Sequence, residues 1–251
     1  MSPVQSSYWV ETRAPRYSLS FAFPLLILYE ALALLLSDAD AAGVRNGADV
    51  LLKSLFVGLG GREGLTVFGL LLVGGGASLV WRDVRRSGGI RPRYFMLMAG
   101  EAVAYALIFG FAASVLTVLL LPTVALVGSS VEGAAQFSTQ LSLPTQLMIS
   151  LGAGIYEELL FRVLLVSGLA LLAGRLFRWT RWKANLFAIL LGALIFSAFH
   201  YIGPYGEPLA LTSFTFRAIA GLLFSGLYVS RGFGITAWTH ALYDVFLAVG
   251  R

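Results

Sequence analysis

The sequence predicts an all-α polytopic membrane protein, a transmembrane helical bundle of about seven or eight spans. Three observations predict it: 58% of the 251 residues are hydrophobic, only 12% are charged, and apolar runs of membrane-crossing length recur along the whole chain. A soluble domain carries about 25% charged residues, so half of the usual polar coat is absent and the apolar surplus requires the bilayer as its solvent.

Taken in order, runs of roughly 17 to 25 residues, the length that crosses the hydrocarbon core, fall near 18–37, 64–81, 95–121, 144–174, 184–202, 211–230 and 233–249. The first run, Leu19 to Leu36, is longer than the apolar core of a cleaved signal peptide, which predicts a retained helix. Val50 to Leu59 is apolar but only half long enough, and Gly58, Gly60 and Gly61 break it. An interfacial or re-entrant piece is expected there, with an eighth span as the alternative. The last run is short. No repeat or low-complexity linker interrupts the chain, so a single compact bundle is expected.

Lysines and arginines give the orientation, because basic loops resist translocation. With the N-terminus inside, the inner segments hold Arg13, Arg16, Arg82, Arg85, Arg86, Arg91, Arg93, Arg175, Arg178, Arg181, Lys183 and Arg231, twelve in all, against four outside. The net charge of +5 is thereby explained by topology and anionic lipid headgroups, and no nucleic-acid partner is expected. The absence of cysteine excludes disulfides, thiolate metal sites and a thiol nucleophile.

A charge near the bilayer centre costs about 2.5–3.5 kcal/mol on insertion scales, so an ionisable residue within a span needs a partner or a task. Nine qualify: Glu30, Glu101, Glu157, Glu158, Arg162, His200, Arg217, His240 and Asp244. Seven lie between 157 and 244, which points to that half for any chemistry. Glu158 and Arg162, four apart, share a helix face in the favourable order and can neutralise each other. Glu157 sits about 100° round the helix, a carboxylate without a local partner, and a buried unpaired carboxylate is the raw material of a general base. His200 on the next span reaches a similar height in an antiparallel hairpin, and a histidine beside such a carboxylate makes a water-activating dyad or half of a metal site. His240 and Asp244, again four apart, suit two metal ligands or a pair that stabilises an oxyanion. Hydrogen bonds that merely pin helices together would use the same residues. Counted from Arg231, His240 is too shallow to meet the other two unless the turn at Gly232 to Gly234 dips inward, which a glycine-rich turn buried in protein permits.

Together, Glu157-Glu158-x-x-x-Arg162, Phe196-x-x-x-His200 and His240-x-x-x-Asp244 resemble the three-motif signature of the CPBP family of intramembrane proteases. That family includes the type II CaaX prenyl endopeptidases and the Abi-like bacteriocin-processing and immunity proteins. The resemblance covers about Leu143 to Val249, so residues 143–251 are expected to form a catalytic core of four membrane helices and 1–142 to be membrane helices of generic character. It implies an intramembrane endopeptidase acting on a peptide or membrane-protein substrate, with Glu157 activating water, His200 assisting, Glu158 and Arg162 supporting, and His240 with Asp244 on the oxyanion or metal side. Where the family often has Asn, this chain has Asp244, and an ionised carboxylate cannot donate to an oxyanion; Asp244 is then protonated, a metal ligand, or the residue that orients His240. A divalent metal such as zinc, held by Glu157, His200, His240 and Asp244, stays open, although the zinc helix H-E-x-x-H is absent. Placement in a bacterial cytoplasmic membrane is expected. The competing expectation is a non-catalytic protein, either a scaffold or a proton-coupled transporter relaying through Glu30, Glu101, Glu157 and Asp244.

Overall fold

The computed structural model describes residues 8–36, 44–87, 89–121, 141–203 and 206–250. Within them the chain is helical, without strands. In order come α1 (Tyr8–Glu11), α2 (Pro15–Leu35), α3 (Gly47–Gly69), α4 (Gly76–Ser87), α5 (Arg93–Leu120), α6 (Leu143–Gly152), α7 (Ser167–Leu176), α8 (Arg181–Phe199), α9 (Leu211–Arg231) and α10 (Phe233–Val249). Wider π-turns join α3 to α4 (Leu70–Gly75) and α6 to α7 (Ala153–Glu157 and Leu159–Val166). Among the described residues six helical runs are long and apolar enough to cross a membrane, and α10, at 17 residues, is a shorter apolar helix of about 25 Å. The outer surface is apolar: Leu107, Phe111 and Leu119 are each more than 60% exposed. Such a coat is stable against lipid and untenable in water, so this is an integral membrane protein.

The short apolar piece before residue 60 is a helical arm that folds back. Gly60 and Gly61 leave helical geometry inside α3, Gly61 with φ of 60°, a value that glycine reaches without strain. Beyond the turn, a Cβ on Gly64 would lie 1.9 Å from the Phe56 carbonyl oxygen, and the Phe56 and Phe68 rings stand 5.1 Å apart. The expectation of a re-entrant or interfacial element thus corresponds to a glycine-turned hairpin arm. Most of the segment between the runs expected at 95–121 and 144–174, residues 122–140, lies outside the described residues.

Basic residues from three of the inner segments meet at one end. Arg16 pairs with Asp83 at 3.2 Å and Glu11 at 3.6 Å, and Arg91 pairs with Glu11 at 3.1 Å. Buried Arg231, where α9 ends, binds both oxygens of Glu101 and donates to the Trp9 carbonyl and Thr12 hydroxyl. Tyr8 donates to Glu101 as well, and burial together with that carboxylate pushes the Tyr8 phenol up from its ordinary pKa. A single residue, Gly232 with φ of 83°, separates α9 from α10. Gly234 then packs so closely on α2 that a Cβ would lie 2.2 Å from the Ser18 carbonyl oxygen, and its N–H donates to the Ser18 hydroxyl at 2.8 Å. Gly234 is thus buried against α2, while Gly232 and Phe233 are half-buried. From this turn α10 runs through the centre of the bundle, touching α2, α5, α6, α9 and the π-turns.

Candidate active site

Two glycines set the spacing of the helix that carries the paired glutamates. At Gly154 a Cβ would lie 2.4 Å from the Ala237 carbonyl oxygen and 2.6 Å from the Ala241 Cβ, so the small residues of α10 seat directly on the π-turn. At Gly152 a Cβ would meet the Tyr29 ring at 2.6 Å and the Asn46 Cβ at 2.8 Å, so α2 and the start of α3 close on its other side. The π-turns of this helix contain Glu157 and flank Glu158; wider turns of this kind gather at functional sites because they re-aim side chains.

The expected four-residue pairs form. Arg162 Nε lies 3.1 Å from Glu158 Oε2, with Glu158 fully buried and Arg162 1% exposed. The alignment is poor for a hydrogen bond, and among the described residues the guanidinium nitrogens have no hydrogen-bond partner; the cation rests instead on the Phe196 ring at 4.4 Å and the Phe224 ring at 5.6 Å. Glu158 Oε1 meets His240 Nδ1 at 2.7 Å, a contact no spacing within one helix could reveal. Phe224 stacks on the His240 ring at 4.4 Å, while Asp244 Oδ2 stands 3.7 Å from His240 Nε2, within ion-pair range and too far for a hydrogen bond.

His200 ends α8, and its Nδ1 lies 2.9 Å from the Phe196 carbonyl oxygen. A carbonyl only accepts, so Nδ1 carries the proton and Nε2 is left for chemistry. Phe196 lies between the two histidines, 4.9 Å from the His200 ring and 6.3 Å from the His240 ring. Glu157 is within electrostatic reach of both imidazoles and of Arg162, and Asp244 of His240, both glutamates and Arg217. The six ionisable residues of the three motifs therefore share one cluster. Exposure divides them: Glu158 and Arg162 are sealed, whereas Glu157 keeps 8% and the Asp244 side chain 29%.

The partner that Glu157 lacks on its own helix comes from 111 residues away: Asn46 Nδ2 donates to Glu157 Oε1 at 2.8 Å. Sequence reasoning missed this. Asn46-Gly47 before an apolar run is a helix-start signature, and Asn46 does cap α3, but nothing local ties it to Glu157. The other two acids placed within the spans, both half-buried, are neutralised separately. Glu30 is bound by Arg45, Lys53 and Tyr156, and Glu101 by Arg231 and Tyr8.

A metal fits this arrangement poorly. Among the described residues no three or more His, Asp or Glu side chains converge as metal ligands.

Residues 139–246 match a family described as Rce1-like, type II CAAX prenyl endopeptidase Rce1-like. The matched stretch contains all three motifs and so supports the resemblance to the CPBP intramembrane proteases. In general terms it implies a membrane-embedded protease acting on a peptide. No curated protein and no solved structure matches the chain.

Proposed function

From the CAAX-protease character of residues 139–246, we propose that the chain is an intramembrane endopeptidase in which Glu157 takes a proton from water. One observation carries this reading: the paired glutamates are sorted. Glu158 is sealed between His240 and Arg162, and Glu157, buried but 8% exposed, has one oxygen held by Asn46, with no hydrogen bond to the other among the described residues. The free oxygen accepts the water proton as the water oxygen attacks the scissile carbonyl, and the same carboxyl delivers that proton to the departing amine. His200, with Nδ1 anchored on Phe196, turns Nε2 to the same water. His240 stabilises the oxyanion through Nε2. That role needs both ring nitrogens protonated, and carboxylates flank both: Glu158 at Nδ1 and Asp244 at Nε2. Asp244 then orients and balances the imidazole and does not itself donate to the oxyanion.

The test uses purified protein with C-terminal peptides carrying or lacking a prenyl group, so that the substrate class is read in the same assay. Replacing Glu157 by Gln is expected to lower kcat by at least about 100-fold, the usual contribution of a general base; undiminished cleavage would remove Glu157 from the mechanism. Cleavage is expected to survive a chelator, given the donor geometry. The gathering of Arg16, Arg91 and Arg231 at one end supports a cytoplasmic N-terminus, and a bacterial cytoplasmic membrane is the location we assign.

A further inference from the structure

Asn46 lies outside the matched stretch 139–246, is 4% exposed, and has every polar atom of its side chain committed. Its Oδ1 accepts the Ala48 N–H at 2.9 Å, the cap that starts α3. A backbone N–H only donates, so the amide oxygen must face Ala48 and the NH2 group must face Glu157. The amide cannot be reversed without losing both bonds. Its backbone is fixed too. The Asn46 N–H donates to the Tyr29 hydroxyl at 3.3 Å, Tyr29 donates to Asp49 at 2.8 Å, and Arg45 and Lys53 each bind Asp49 at 2.7 Å. Gly152, on the helix of Glu157, has room for no side chain because Tyr29 and Asn46 press on it.

We infer that Asn46 is a positioning residue for Glu157: by holding Oε1 it fixes the carboxylate plane and leaves Oε2 as the oxygen presented to water. This rests on Glu157 being the base. The hairpin arm of α3 and the salt-bridged group around Asp49 then have a shared task, which is to keep one amide at a fixed place beside the carboxylate.

Two substitutions separate positioning from folding, because Ser and Asp both cap helices well. Asn46→Ser keeps the cap and is too short to reach Glu157; Asn46→Asp keeps the cap and sets a carboxylate against a carboxylate. With whichever C-terminal peptide the unaltered protein cleaves, Asn46→Ser is expected to lower kcat by about 10- to 100-fold, the cost of a misplaced catalytic group. Asn46→Asp is expected to lower it further, and KM stays within about twofold in both. A second readout needs no substrate: the infrared carboxylate stretch that vanishes in Glu157→Gln should move in Asn46→Ser. Unchanged kcat, a change confined to KM, or an unmoved carboxylate band would each overturn the inference while leaving Glu157 as base. Full cleavage by Glu157→Gln would instead remove the base and the inference with it.

Discussion

The imidazole of His240 and the carboxylate of Glu158, 82 residues apart, meet at 2.7 Å with both side chains buried. Glu158 therefore faces two cations or potential cations, Arg162 along its own helix and His240 across from it. It is the electrostatic centre of the site.

Removing that centre leaves Arg162 buried and uncompensated. Glu158→Ala is expected to destabilise the fold by about 3–5 kcal/mol, the usual cost of breaking a buried pair from one side. Replacing both partners, Glu158→Leu with Arg162→Met, should recover most of the loss. Thermal unfolding in one detergent, compared across the single and double variants, reads this directly; additive losses would show that the pair is not coupled.

Gly154 is expected to tolerate no side chain. A methyl group would collide with Ala237 and Ala241, and overpacking of this kind costs about 1–3 kcal/mol. Because α10 must move to make room, Gly154→Ala should also lower kcat by shifting His240, whereas Gly168→Ala, where a Cβ meets open space, should change neither.

Much of the site was legible because a helix imposes its own geometry. The four-residue spacing of Glu158 and Arg162, and of His240 and Asp244, places each pair on one face before any fold is known, and the structure has both. Long-range contacts follow no such rule. The bond between Glu158 and His240 and that between Asn46 and Glu157 depend on how three helices pack, which Gly152 and Gly154 decide by what they lack. The hairpin at Gly60 and Gly61 was half legible: the glycines marked a break, but the direction of the returning arm is set by tertiary contact between Phe56 and Phe68. The π-turns around Glu157 had no sequence signal.

Half-buried Glu101 and buried Arg231 make a second ion pair, remote from the glutamate motif along the chain. Glu101→Gln is expected to destabilise by about 1–3 kcal/mol, the scale for a hydrogen-bonding group left unmatched, without altering KM. Melting curves and steady-state kinetics on one preparation separate the two effects; a raised KM would place Glu101 nearer the substrate path than the fold suggests.

The cysteine-free chain makes topology testable without background labelling. A single cysteine replacing exposed Arg86 should react with an impermeant maleimide only after the cytoplasmic face is opened, and one replacing Arg62 should react from outside. The opposite pattern would invert the orientation proposed for the bundle.

The joint at Gly232 makes the segment from Arg231 to Asp244 intolerant of any change in length. Arg231 is anchored at one end by Glu101, Trp9 and Thr12, and the helix restarts one residue later, so the rotational phase of His240 is counted directly from that anchor. Inserting or deleting a single residue in between would swing the imidazole by about 100°, enough to face it toward a different neighbour altogether. The interval therefore acts as a ruler, free to vary in composition where packing allows and fixed in number.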